Sequence, residues 1–136
     1  MLTRLGNRLQ PLGITLLRLA VGIDFLYHGS VKLSHLPQWT HNFAAMGFPP
    51  ATAYGIGALE TVGGALLILG LFSRIFGLLL AGDMAVALVR VNLPHTPILH
   101  VASYELTMLL AGASFLIFCL GSGPIAIDGL RGDRWR

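Results

Sequence analysis

Four long apolar runs dominate the chain: Leu12 to Val31, Ala51 to Phe72, Ser73 to Val91 and Ser103 to Leu120. Each is bounded by proline, glycine or charge, and each is long enough at 1.5 Å per residue to cross the roughly 30 Å core of a bilayer. Phe72-Ser73-Arg74 leaves so short a connection between the second and third runs that they must form an antiparallel hairpin. Between the first two runs, Leu36, Trp39, Phe43 and Met46 fall at helical spacing, which predicts a short interfacial helix ended by Pro49-Pro50. Gly121-Ser122-Gly123-Pro124 breaks the last helix, and a short basic tail follows. The pattern predicts an all-α fold, a transmembrane four-helix antiparallel bundle with a short interfacial helix between helices 1 and 2, forming a single membrane domain over residues 1–136.

Composition narrows the class. The chain is 54% hydrophobic and only 11% charged, against about 25% charged in an ordinary soluble domain. Its mean hydropathy is +0.73. The net charge of +3 comes from cations scattered at helix ends without a basic stripe, so membrane topology accounts for them and nucleic acid is not an expected partner. Arg4 and Arg8 precede the first run as they would in a secretory signal, yet no A-x-A-like site closes it and Arg18 and Asp24 interrupt it, which predicts a retained span. With four spans, Arg4, Arg8, Arg74, Arg131, Arg134 and Arg136 fall on one side and only Lys32 and Arg90 border the other. The positive-inside rule then places both termini in the cytoplasm and His35, His41, His95 and His100 on the outer side.

Each run also carries one carboxylate: Asp24, Glu60, Asp83 and Glu105. A charge at the bilayer centre costs about 2.5–3.5 kcal/mol on insertion scales, so four of them need partners or protons and should face inward. Asp24, His28 and Lys32 are four apart, with Arg18 in the same sector of the helix, and Asp83 shares a face with Arg90. Counted from the outer ends, Asp24, Glu60 and Asp83 lie at one depth, roughly 12–14 Å in. Lys32, Arg90 and Glu105 should cap the same space, with His28 between the two layers, so a polar cavity is expected in the outer half. Gly22 and Gly29, Gly57 and Gly64, and the row Gly77, Ala81, Ala85 permit close helix packing around it.

Two readings of this cluster stay open. Arg18, Lys32 and Arg90 can neutralise the acids in ion pairs that lock the helices together, or the groups can bind a small polar or quinone-like head group or pass protons. His95, His100 and Glu105 are close enough in sequence for a metal site, but no H-x-x-x-H or H-E-x-x-H spacing supports one and none is expected. Tyr27, Tyr54, Tyr104 and Trp39 read as interfacial aromatics, and Cys119 as a buried small apolar residue without a disulfide partner.

The series Arg18-x-x-x-Gly22-x-x-Phe25-x-x-His28-Gly29-x-x-Lys32-Leu33, then Phe43-x-x-Met46-Gly47-Phe48-Pro49, then Glu60-x-x-Gly63-Gly64-x-Leu66-Leu67-x-x-Gly70-Leu71-x-Ser73-Arg74 resembles the DoxX family of small bacterial membrane proteins. Glu105 at the start of the last helix and Gly121 through Asp128 continue the match. The resemblance implies a four-helix protein of the bacterial inner membrane, described as an oxidoreductase, and kinship with the membrane subunit of a thiosulfate:quinone oxidoreductase. Asp24 and Asp83 are not tied to the family pattern and rest on depth alone. The leading expectation is therefore a membrane subunit of a redox system. It would dock a quinone with Glu60 and His28 handling protons and Arg18, Asp24, Lys32, Asp83, Arg90 and Glu105 around the ligand. No Rossmann-type glycines, Fe–S cysteines or haem motif are present, so a partner redox protein would bring the electrons. The alternatives are a non-catalytic scaffold for a redox enzyme, or a carrier of a small solute or metal that would need a homo-oligomer.

Overall fold

The computed structural model describes residues 2–95 and 104–130, and all regular structure among them is helical. α1 runs over Leu2–Ser34, α2 over Leu36–Ala45, α3 over Thr52–Leu69 and α4 over Ser73–Ala87. α4 continues through a π-helical turn, Leu88–Asn92, into Leu93–His95. α5 covers Glu105–Leu120 and α6 is a single turn at Ile127–Leu130. Three of these, Thr3–Ser34 within α1, α3, and α4 with its π turn, are long and apolar enough to cross a membrane. α5, at 16 residues, is apolar but shorter. Ser103, His100 and Arg131, Arg134 and Arg136, which entered the expected span limits, metal site and topology, lie outside the described residues.

α1 begins ten residues before the expected span and carries Pro11 inside it. Proline removes one N–H from the helix ladder. The helix nevertheless continues, and Leu5, Leu9, Leu12 and Leu16 extend one exposed apolar stripe across the proline.

α1 and α3 run antiparallel with their backbones nearly touching. A β-carbon on Gly22 would meet the Gly64 carbonyl and Ile68, one on Gly29 would meet Thr61 and the backbone of Glu60, and one on Gly57 would meet Leu33. Only hydrogen fits there, as expected where apolar lipid supplies no hydrophobic drive and association depends on close contact. α4 and α5 form the second tight pair, with Gly77 set against the backbone of Phe118 and Ser114. Gly70, at φ 70°, ends α3 in the left-handed region, with Leu71 N–H donating to the Leu66 carbonyl at 2.9 Å in a Schellman-type closure, and α4 starts three residues later. Val21, Phe25, Leu67, Leu80, Met84, Leu110 and Ile117 fill the space between the two pairs.

Candidate functional site

At the end of the molecule where α1 and α4 finish, the two helix pairs bring their charges together. Lys32, in the last turn of α1, donates through Nζ to Glu60 Oε2 of α3 at 2.5 Å. Glu60 is 1% exposed and the Lys32 side chain 13%. The glycine contacts place this pair: with Gly29 lying on Thr61 and Glu60, a lysine one turn further along α1 reaches the carboxylate without stretching. Asp83 of α4 lines the same cavity as this pair, and its Oδ2 is buried with no hydrogen-bond donor among the described residues. Lys32 is thus the one cation beside two carboxyls in this cavity, and removing it leaves buried acid without a counter-charge.

These groups form the floor of a cavity of about 230 Å³. Asp24, His28, Lys32, Thr52, Glu60, Asp83 and Thr107 supply its polar lining, and Phe25, Ile56, Met84, Val86, Leu106 and Leu110 its apolar walls. α2 and the turn after it contribute Trp39, Phe43, Met46 and Phe48. Trp39 and Phe43 have ring centres 6.2 Å apart and Phe43 and Phe48 5.9 Å apart, so the aromatics form one contiguous patch. Lys32 Nζ lies 5.4 Å from the centre of the Trp39 ring, which links this patch to the ion pair by a cation–π contact. Val91, in the π turn, also lines the cavity.

The expected site residues separate into two groups. Asp24, His28, Lys32, Glu60 and Asp83 share the cavity, and His28 Nε2 sits 3.7 Å from Asp24 Oδ2. Arg18, Arg90 and Glu105 are not among its lining residues. Arg90 and Glu105 are exposed. The regular 100° step that put Arg90 on the face of Asp83 is broken by the π turn, Leu88–Asn92, that contains it. Arg18 is 2% exposed but lies six residues deeper in α1 than Asp24, about 9 Å along the axis, too far to join it.

Arg18 instead holds the C-terminal segment. Its Nη2 donates to the Ile125 carbonyl at 2.7 Å, and Asp128 supplies the nearest counter-charge. Asp128 in turn accepts from the backbone N–H groups of Phe72 at 3.0 Å and Ser73 at 3.2 Å, at the N-terminus of α4, while its own N–H donates to Gly70 at 3.0 Å. A carboxylate there satisfies orphan helix donors and complements the helix dipole. Arg74 donates to the carbonyls of Phe118 and Cys119 at the end of α5, both at 3.0 Å. This clasp was missed from sequence, although a buried arginine demanded an anion and Asp128 sat outside every span.

Cys119 is exposed, not buried, because α5 turns that face away from the α4 contact made by Ser114 and Ile117. Tyr27 and Tyr54 are exposed, whereas Tyr104 is buried and Trp39 lines the cavity. Among the described residues no group of three or more His, Cys, Asp or Glu is placed to hold a metal ion.

The family model DoxX matches residues 13–93, which include the whole of the Lys32, Glu60 and Asp83 cluster. The chain belongs to the DoxX family. Among its DoxX-like relatives is a Bacillus subtilis protein named "Putative oxidoreductase CatD", 34% identical, with 90% of this chain and 89% of the relative aligned. An uncharacterized membrane protein of Mycobacterium tuberculosis is 33% identical over 89% of this chain and 81% of its own length. An uncharacterized Haemophilus influenzae protein is 32% identical over 90% and 92%. No solved structure matches. Family membership and apolar helices together establish this DoxX chain as a membrane protein.

Proposed function

We propose that this DoxX-family chain is the membrane subunit of a redox system and docks a quinone-like head group in the cavity above Lys32, Glu60 and Asp83. The observation that carries the reading is the pairing of a contiguous aromatic wall, Trp39, Phe43 and Phe48, with a floor of one ammonium and two carboxyl groups. A flat ring bearing two carbonyls needs both: stacking surface for its faces, and a donor such as Lys32 for an oxygen. Quinone reduction consumes protons as well as electrons, and Glu60, Asp83 and His28 are groups that could deliver them. The electrons would come from a partner redox protein. A relative named as an oxidoreductase supports this class of function without naming a substrate.

In this reading α5 is a fourth span, its roughly 24 Å of helix matched by local thinning of the bilayer. Arg4, Arg8 and Arg74 share the end opposite the cavity, and in this proposal the positive-inside rule makes that end cytoplasmic at the bacterial inner membrane, with the cavity in the outer half and α2 in the interface.

Titration of purified protein with a short-chain quinone analogue tests the assignment. Quenching of Trp39 fluorescence in a Trp135→Phe background, with a saturable rise in thermal stability, is the expected result. Absence of both at saturating analogue overturns it. The scaffold reading has its own support, because Lys32 and Glu60 already neutralise one another. Glu60→Gln separates the two: a scaffold loses folding or partner assembly, while a quinone site yields an assembled protein without turnover.

A further inference from the structure

We propose that Glu60 and Asp83 share one exchangeable proton and that this proton communicates with a single face of the membrane, through the cavity mouth beside Asp24 and His28. The inference needs no ligand and goes beyond the quinone reading. Lys32 is paired with Glu60, a second carboxyl, Asp83, lines the same cavity from another helix, Glu60 is 1% exposed, and Asp83 Oδ2 is buried without a donor. If both acids were ionised, the cluster would keep a net negative charge at membrane depth. One proton between them leaves it neutral, and that proton supplies a donor where the described residues offer none.

The groups facing the pair define the route. On α1 these are Lys32, Asp24 and His28. α2, the π turn and α5 present no titratable side chain to the cavity. His28 is 44% exposed and 3.7 Å from Asp24, so it joins the cavity to the surface.

The opposite direction is closed. Between the acid level and the Arg18 clasp, each helix carries a buried apolar residue: Val21 on α1, Leu67 on α3, Leu80 on α4 and Ile117 on α5. All four belong to one packed cluster together with Phe25, and protein interiors packed in this way leave few voids that hold water. A proton at Asp83 has several polar neighbours toward the mouth, whereas toward Arg18 it meets this apolar layer, in which Ser114 supplies a lone buried hydroxyl among the described residues.

A hydrophobic carbodiimide reads both halves of the proposal. A protonated carboxyl adds across the reagent's C=N bond, its proton passing to nitrogen, and an oxygen-to-nitrogen acyl shift leaves a stable N-acylurea that mass spectrometry assigns to a residue. The full chain is reconstituted in sealed vesicles whose two faces are buffered separately, with orientation scored by protease access to an N-terminal tag, which marks the Arg18 face. Labelling at Glu60 or Asp83 is expected to rise as the mouth-side pH falls and to ignore the pH on the tagged side. Asp83→Asn leaves Lys32 and Glu60 balanced as a simple pair, and labelling at Glu60 should fall about tenfold. No labelling of either acid in folded wild-type protein overturns the shared proton. A response to the Arg18-side pH, alone or equally with the mouth side, overturns the one-sided route. Since no quinone is used, either result leaves the quinone titration to be judged separately.

Discussion

Gly29 on α1 packs against Thr61 on α3 so closely that a β-carbon on the glycine would overlap the threonine's backbone nitrogen and hydroxyl. One turn above this contact the Lys32 ammonium meets Glu60. The two facts are one arrangement, because the distance between the helix axes decides whether the lysine reaches the carboxylate.

Gly29→Val should therefore push α1 from α3, destabilise the protein by about 1–3 kcal/mol and loosen the ion pair. Gly82→Ala is the control: a β-carbon there meets nothing within 4 Å, and removing a helical glycine should add about 0.5–1 kcal/mol. Thermal unfolding in detergent compares them, and equal effects at the two sites would contradict the close-packed interface.

Removing one member of the buried pair should be worse than removing both. Lys32→Met leaves Glu60 buried beside Asp83 without its cation and should cost about 3–5 kcal/mol. Adding Glu60→Met should recover most of the loss. A double-mutant cycle on unfolding midpoints measures the coupling, and simple additivity would show that the contact contributes nothing.

The C-terminal clasp predicts a local effect. Asp128→Ala deprives the Phe72 and Ser73 N–H groups of their acceptor and Arg18 of its counter-charge, at a cost of about 1 kcal/mol or more. Limited proteolysis should then cut sooner between residues 121 and 130 while α1 to α4 stay protected. Asp128→Asn, which keeps an acceptor, should lie between.

At the cavity mouth, Trp39→Ala removes an aromatic wall and the cation–π contact with Lys32. Under the quinone reading it should weaken analogue binding by about 1 kcal/mol, roughly fivefold, with little change in unfolding. Calorimetric titration measures the first quantity and thermal melts the second.

Much of this molecule follows from local rules. Whether a segment is helical and apolar enough to cross lipid depends on its own residues, so α3 and α4 lie close to where hydropathy places them. Depth is also local, since counting residues along a helix measures distance along the membrane normal. The common level of Asp24, Glu60 and Asp83 is visible in the sequence for that reason, and these three line one cavity.

Rotation and partnership are not local. Arg18 lies in the angular sector of Asp24, yet the fold gives it to Ile125 and Asp128, more than a hundred residues away, because the segment after Gly121 turns back against the end of α3. Arg90 loses the face of Asp83 to a π turn that no hydropathy window registers. The amino-acid sequence by itself determined the helices, their apolar length and the positions of charges along them, through short-range sterics and transfer free energy. Only the packed structure decided which charges meet, because that choice depends on how closely glycine-lined backbones approach and on where the chain's end returns.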